Sequence, residues 1–89
     1  MSNSAFQTQY TNLQEINELQ TNIMKFLDLW VHKEKTPIPL KEIIAKMTSD
    51  GVKNFTTIKA IGVLLKKRYI RRAHMISNKS YFVMLRRVV

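Results

Sequence analysis

The 89-residue chain contains no cysteine. Disulfide staples, thiolate metal ligands and thiol nucleophiles are therefore excluded, and the composition suits a reducing compartment. Glycine occurs only at Gly51 and Gly62, too few for a loop that cradles phosphate with its backbone. Proline occurs only at Pro37 and Pro39, so the rest of the chain is free of its helix-breaking ring. No run approaches the roughly 20 apolar residues of a membrane span, and the first ten residues lack the basic start and apolar stretch of a secretory signal. A cytoplasmic or nucleoid-associated location is expected.

The most informative absence is of acidic residues. Residues 1–52 carry five Lys against six Asp or Glu; residues 53–89 carry ten basic residues and not one acid. Lys53, Lys59, Lys66, Lys67, Arg68, Arg71, Arg72, Lys79, Arg86 and Arg87 thus repel one another with no counter-charge in their own half. A solvated surface needs no such purge of acids, so the pattern points to an anionic polymer as partner.

Enough apolar material is present for one core. Apolar residues are 45% of the chain, including Trp30, four Phe and three Tyr, which suffices for a single small domain without metals or disulfides. We divide the chain into an N-terminal arm, residues 1–11, and one domain, residues 12–89. Leu13, Ile16, Leu19, Ile23, Phe26, Leu27 and Trp30 recur at steps of three and four, predicting a helix over 12–34 capped by Thr11 or Asn12 and stopped by Thr36-Pro37. Pro37-Ile38-Pro39-Leu40 reads as an extended connector or a very short edge strand. Leu40, Ile43, Ile44 and Met47 predict a second helix, and Thr48-Ser49-Asp50-Gly51 its end and turn.

A third helix is expected from a cap at Asn54 through Lys67. Its apolar face is assigned to Phe55, Ile58, Ile61, Gly62 and Leu65, with Thr56, Ala60, Val63 and Lys67 pointing outward. Gly62, on or beside the buried face, would let another helix approach closely. After Arg68 the period falls to two. Tyr69–Ile76 and Tyr81–Val89, separated by Ser77-Asn78-Lys79-Ser80, predict a hairpin with Asn78-Lys79 at its tip. The fold class is α+β, mainly helical: three helices, the first of them long, and a C-terminal β-hairpin.

That order of elements, and above all the run Thr57-Ile-Lys-Ala-Ile-Gly-Val-Leu-Leu-Lys-Lys-Arg-Tyr-Ile-Arg-Arg72, resembles the winged helix-turn-helix family over residues 13–89. Arg68 departs from the pattern, since members often carry Gly there. The resemblance implies a sequence-specific double-stranded DNA-binding protein, a small transcriptional regulator suited to a compact phage or plasmid genome. It places the third helix in the major groove and the basic wing on the backbone. The implied base-contact candidates are Asn54, Thr56, Thr57, Lys59, Ala60 and Val63. The phosphate-contact candidates are Lys53, Lys66, Lys67, Arg71, Arg72, Lys79 and Arg86, joined by Arg87 near the terminus. Leu13, Ile16 and Leu19 extend beyond what one small core needs and are candidates for a homodimer interface.

Two alternatives stay open. One is an RNA-binding or ribosome-associated winged helix. The other is a protein-interaction winged helix docking on a partner such as RNA polymerase. Catalysis is not expected. His32 and His74 have no ligand-spaced cysteine or carboxylate, the acids are scattered, and no base orients a Ser or Thr; neither a metal nor any other cofactor is expected.

Overall fold

The computed structural model describes residues 15–73 and 80–87. The expected N-terminal arm, Leu13, His74 and the hairpin tip Asn78-Lys79 lie outside these residues. Within them the order is α1 (Glu18–Glu34), β1 (Ile38–Pro39), α2 (Leu40–Ser49), α3 (Asn54–Lys66), β2 (Ile70–Arg72) and β3 (Tyr81–Met84). Among the described residues the fold is α+β, with three helices and a three-stranded antiparallel sheet in the order β1-β3-β2.

The first helix begins at Glu18, later than the residue 12 expected from periodicity, because a capping box sets its start. Asn17 Oδ1 accepts from the Gln20 amide at 2.8 Å, and Gln20 Oε1 accepts from the Asn17 amide at 3.0 Å. Each side chain satisfies an amide that the helix leaves without a partner. Residues 15–17 are non-helical. At the other end Lys35 adopts a left-handed φ of 57° and its amide bonds the Val31 carbonyl, closing α1 before Pro37.

Pro39, with φ fixed at −68°, leads directly into α2. The short Ile38–Pro39 segment is a strand, pairing with Tyr81 and Phe82. As an edge strand it tolerates a residue without an amide donor. The α2 terminus is a complete Schellman motif: the Gly51 amide bonds the Thr48 carbonyl and the Val52 amide bonds the Met47 carbonyl, both at 2.9 Å. Gly51 supplies the required positive φ of 86° at no steric cost.

α3 ends in the same way but without glycine. Arg68 takes φ 65°, its amide bonds the Leu65 carbonyl at 3.1 Å, and the Tyr69 amide bonds the Leu64 carbonyl at 3.0 Å. Tyr69 then buries its ring in the core, the apolar contact that accompanies this cap. The Tyr69 carbonyl accepts from the Leu85 amide at 2.8 Å, aiming β2 along β3. The β2–β3 register pairs Ile70 with Met84 and Arg72 with Phe82, which puts Ile70, Arg72 and Phe82 on one face of the sheet and Arg71 on the other; Ile70 and Phe82 are buried there, and Arg71 and Arg72 are both exposed.

One core joins all six elements. Ile23, Met24 and Leu27 from α1, Ile38 from β1, Ile43 and Met47 from α2, Ala60, Ile61 and Leu64 from α3, Ile70 and Phe82 from the sheet are buried together with Tyr69. Phe26, Trp30, Leu40 and Val52 pack on its edge. The Trp30 indole N–H donates to the Thr36 carbonyl at 3.1 Å, tying α1 to the turn that follows it.

Candidate nucleic-acid interface

The orientation of α3 decides which side chains can meet a partner, and it differs from the face assigned by sequence. Thr57, Ala60, Ile61 and Leu64 are buried, a stripe at spacings of three, four and seven that seats the helix on α1 and α2. Thr57 is 0% and Ala60 4% exposed, so neither is available as a base contact, and both expectations are corrected. Phe55 and Ile58, assigned to the core, are instead 69% and 50% exposed. Of the assigned face, Ile61 is buried and Leu65 packs against the core. The helix carries apolar residues nearly all round, so periodicity alone admitted two stripes that share Ile61 and are centred about 115° apart. Packing selected the stripe with the smaller residues Thr57 and Ala60, which bring α3 close to its neighbours.

Gly62 is likewise corrected. It is exposed, and a Cβ placed there would meet nothing within 4 Å, so no helix among the described residues approaches it. At 100° per residue, Phe55, Ile58, Lys59, Gly62 and Lys66 therefore form the solvent face of α3. The Lys59 ammonium lies 5.4 Å from the centre of the Phe55 ring, within cation–π range.

Of the remaining base-contact candidates, Asn54, Thr56 and Lys59 are exposed and Val63 is half-buried. Asn54 is not the cap of α3. Lys53 occupies that position without a side-chain cap bond, and Asn54 Oδ1 accepts from the Thr48 hydroxyl at 3.0 Å, clasping the end of α2 to the start of α3. Thr56, Lys59 and Val63 line a groove of about 300 Å³ with Phe55, Ala60, the α1 cap Asn17 and the α1 residues Leu19 and Gln20. This groove brings together four of the expected contact residues, Thr56, Lys59, Val63 and the buried Ala60, and one, Phe55, that sequence reasoning assigned to the interior.

The basic residues divide into two groups. Lys53, Lys59, Lys66, Arg68, Arg71 and Arg72 are exposed, and the ion pairs formed among the described residues are Asp28 with Arg87 and Asp50 with Lys46, with His32 Nδ1 3.7 Å from Asp28 Oδ1. Arg72 also lies over the Phe82 ring at 5.6 Å. The others have intramolecular roles. Lys67 is half-buried and donates to the Glu15 carbonyl, Arg86 stacks on Tyr69 at 5.4 Å, and Arg87 Nε sits 3.3 Å from Asp28. Lys79 falls outside the described residues.

The expected dimer stripe is largely used within the chain. Ile16 and Leu19 are half-buried and pack against this chain's own core, because the late start of α1 folds residue 16 back onto it. The exposed apolar side chains of α1 are Leu29, at 69%, and Val31, beside two hollows of about 620 and 500 Å³ with largely apolar walls. Among the described residues no three His, Cys, Asp or Glu side chains stand close enough to hold a metal ion, and no helix is long and apolar enough to cross a membrane. Compared with protein-family models, with curated proteins and with solved structures, the chain matches none of them.

Proposed function

We propose that this protein is a sequence-specific double-stranded DNA-binding protein of winged helix-turn-helix type, a small transcriptional regulator in which α3 enters the major groove. On this reading it is a binding protein and not an enzyme. The observation that carries the proposal is the set of exposed basic residues on and beside α3 and β2, Lys53, Lys59, Lys66, Arg68, Arg71 and Arg72, within a 37-residue stretch that contains no acid. Such a surface lowers its own repulsion by meeting phosphates, releasing their counterions.

The layout supports the same reading. An α-helix with side chains is about 10–12 Å across, and the major groove of B-DNA is about 12 Å wide. α3 carries exposed polar and basic residues at its N-terminal turns, and the β2–β3 pair follows it directly with Arg71 and Arg72 exposed. Lys59 and Thr56 have the donors to meet base edges, whereas Lys53, Lys66, Arg68, Arg71 and Arg72 suit phosphates. Lys67, Arg86 and Arg87, already engaged within the chain, take a smaller share.

The test is selection of random-sequence duplex DNA on the purified protein, followed by affinities for the selected duplex, a scrambled duplex and an RNA of the same sequence. A regulator of this kind binds its selected sequence at least about a thousandfold tighter than scrambled DNA. Equal binding of all three ligands with one steep salt slope would identify a general polyanion binder and overturn the proposal.

A further inference from the structure

The solvent face of α3 is basic but not uniformly polar. Phe55 and Ile58 project from its first two turns, 69% and 50% exposed, on the same face as Lys59 and Lys66. Large exposed apolar side chains lose free energy in water, and a partner made only of phosphate and polar base edges would not recover it. The major groove of DNA offers one apolar group, the 5-methyl of thymine. RNA offers none, because uracil lacks that methyl, and the deep, narrow groove of an RNA duplex excludes a helix.

We infer that Phe55 and Ile58 are specificity-determining residues that contact thymine 5-methyl groups, so that the protein selects duplexes with thymines on neighbouring base pairs and discriminates DNA from RNA by the methyl itself. This rests on the DNA-binding reading above. The geometry suits it. Three residues of helix advance about 4.5 Å, against about 3.4 Å for one base step, so two side chains one turn apart meet neighbouring pairs. Gly62, one turn beyond Ile58, has no side chain to hold the helix off the groove wall. Lys59, held 5.4 Å from the Phe55 ring centre, arrives with the ring and brings its donors to the base edges beside the methyl group.

The experiment replaces thymine by deoxyuridine, one position at a time and then in pairs, in the duplex selected from the random pool. Affinities are measured for the native protein and for the Phe55→Ala, Ile58→Ala variant. Both residues are exposed, so the fold is expected to be retained, and thermal unfolding checks this. Burying one methyl is worth about a fourfold change in affinity, and two about fifteenfold. The native protein is expected to lose these factors at two neighbouring positions, whereas the double variant binds thymine and deoxyuridine duplexes equally. Equal binding of both duplexes by the native protein, or an equal loss in native and variant, overturns the methyl contact while leaving DNA binding standing. Failure to select any duplex sequence overturns the DNA-binding reading and this inference together.

Discussion

Gly62 separates the fold from the function of α3 in a single position. It lies in the interior of the helix, exposed, and a β-carbon added to it would have no neighbour within 4 Å. Glycine in an exposed helix interior costs about 0.8–1 kcal/mol relative to alanine, chiefly because the unfolded chain has more freedom to lose. Gly62→Ala is therefore expected to stabilise the protein by about 0.8 kcal/mol, raising Tm by roughly 3–6 °C for a domain of this size. Gly62→Leu is expected to be at least as stable as the native chain, since leucine is also a good helix former and its side chain points into open space.

Binding should move the other way. A helix of about 10–12 Å fits a groove of about 12 Å with little to spare, and Gly62 sits between Ile58 and Lys66 on the face that would enter. Gly62→Leu is expected to weaken binding of the selected duplex at least about tenfold while Tm holds or rises. Thermal unfolding by circular dichroism and fluorescence anisotropy with a labelled duplex give the two readouts. A fall in Tm for Gly62→Ala would refute the open environment assigned to this residue. Unchanged affinity for Gly62→Leu would refute the assignment of this face to DNA.

Three further outcomes are expected. The Thr57 hydroxyl is fully buried with no hydrogen-bond partner among the described residues, so Thr57→Val, which keeps the shape and removes the orphaned group, should stabilise by about 1 kcal/mol in urea unfolding; destabilisation would reveal a partner for that oxygen. Arg68→Gly relieves a left-handed residue and should add about 0.5–1 kcal/mol of stability, less than the full left-handed penalty of about 1–2 kcal/mol because glycine also loosens the unfolded chain; a lower urea midpoint would contradict the Schellman cap. Lys66→Gln should reduce the slope of log affinity against log salt by about 0.9, the value for one lost phosphate contact. Arg87→Gln, whose guanidinium already faces Asp28, should change that slope by much less, and equal effects of the two would dissolve the division of the basic residues drawn above.

The element order was legible in the sequence because strong local signals mark it: the spacing from Ile23 to Trp30, the turn at Gly51, and the change of period after Arg68. The start of α1 was misplaced although its signal was present. Asn17-Glu-Leu-Gln20 is a capping-box pattern, and the apolar spacing of Leu13, Ile16 and Leu19 masked it, since periodicity counts a residue such as Ile16 that packs on the core before the helix begins. The face of α3 was not legible by periodicity. Phe55 and Ile58 are more apolar than Thr57 and Ala60, and a hydrophobicity rule chooses them; close packing chose the smaller pair, while Ile61 and Leu65 of the expected face do meet the core. That error moved Thr57 and Ala60 into the candidate site and Phe55 and Ile58 out of it. The charge asymmetry needed no structure to be seen, but only the fold shows that Lys67 and Arg87 are engaged within the chain.

Backbone amide shifts followed by NMR while the selected duplex is added test the central claim most directly. The account expects the largest changes at Phe55, Ile58, Lys59, Gly62 and Lys66, with smaller ones at Arg71 and Arg72 and little at Leu29 and Val31. Changes concentrated around Leu29 and Val31, with α3 undisturbed, would contradict it.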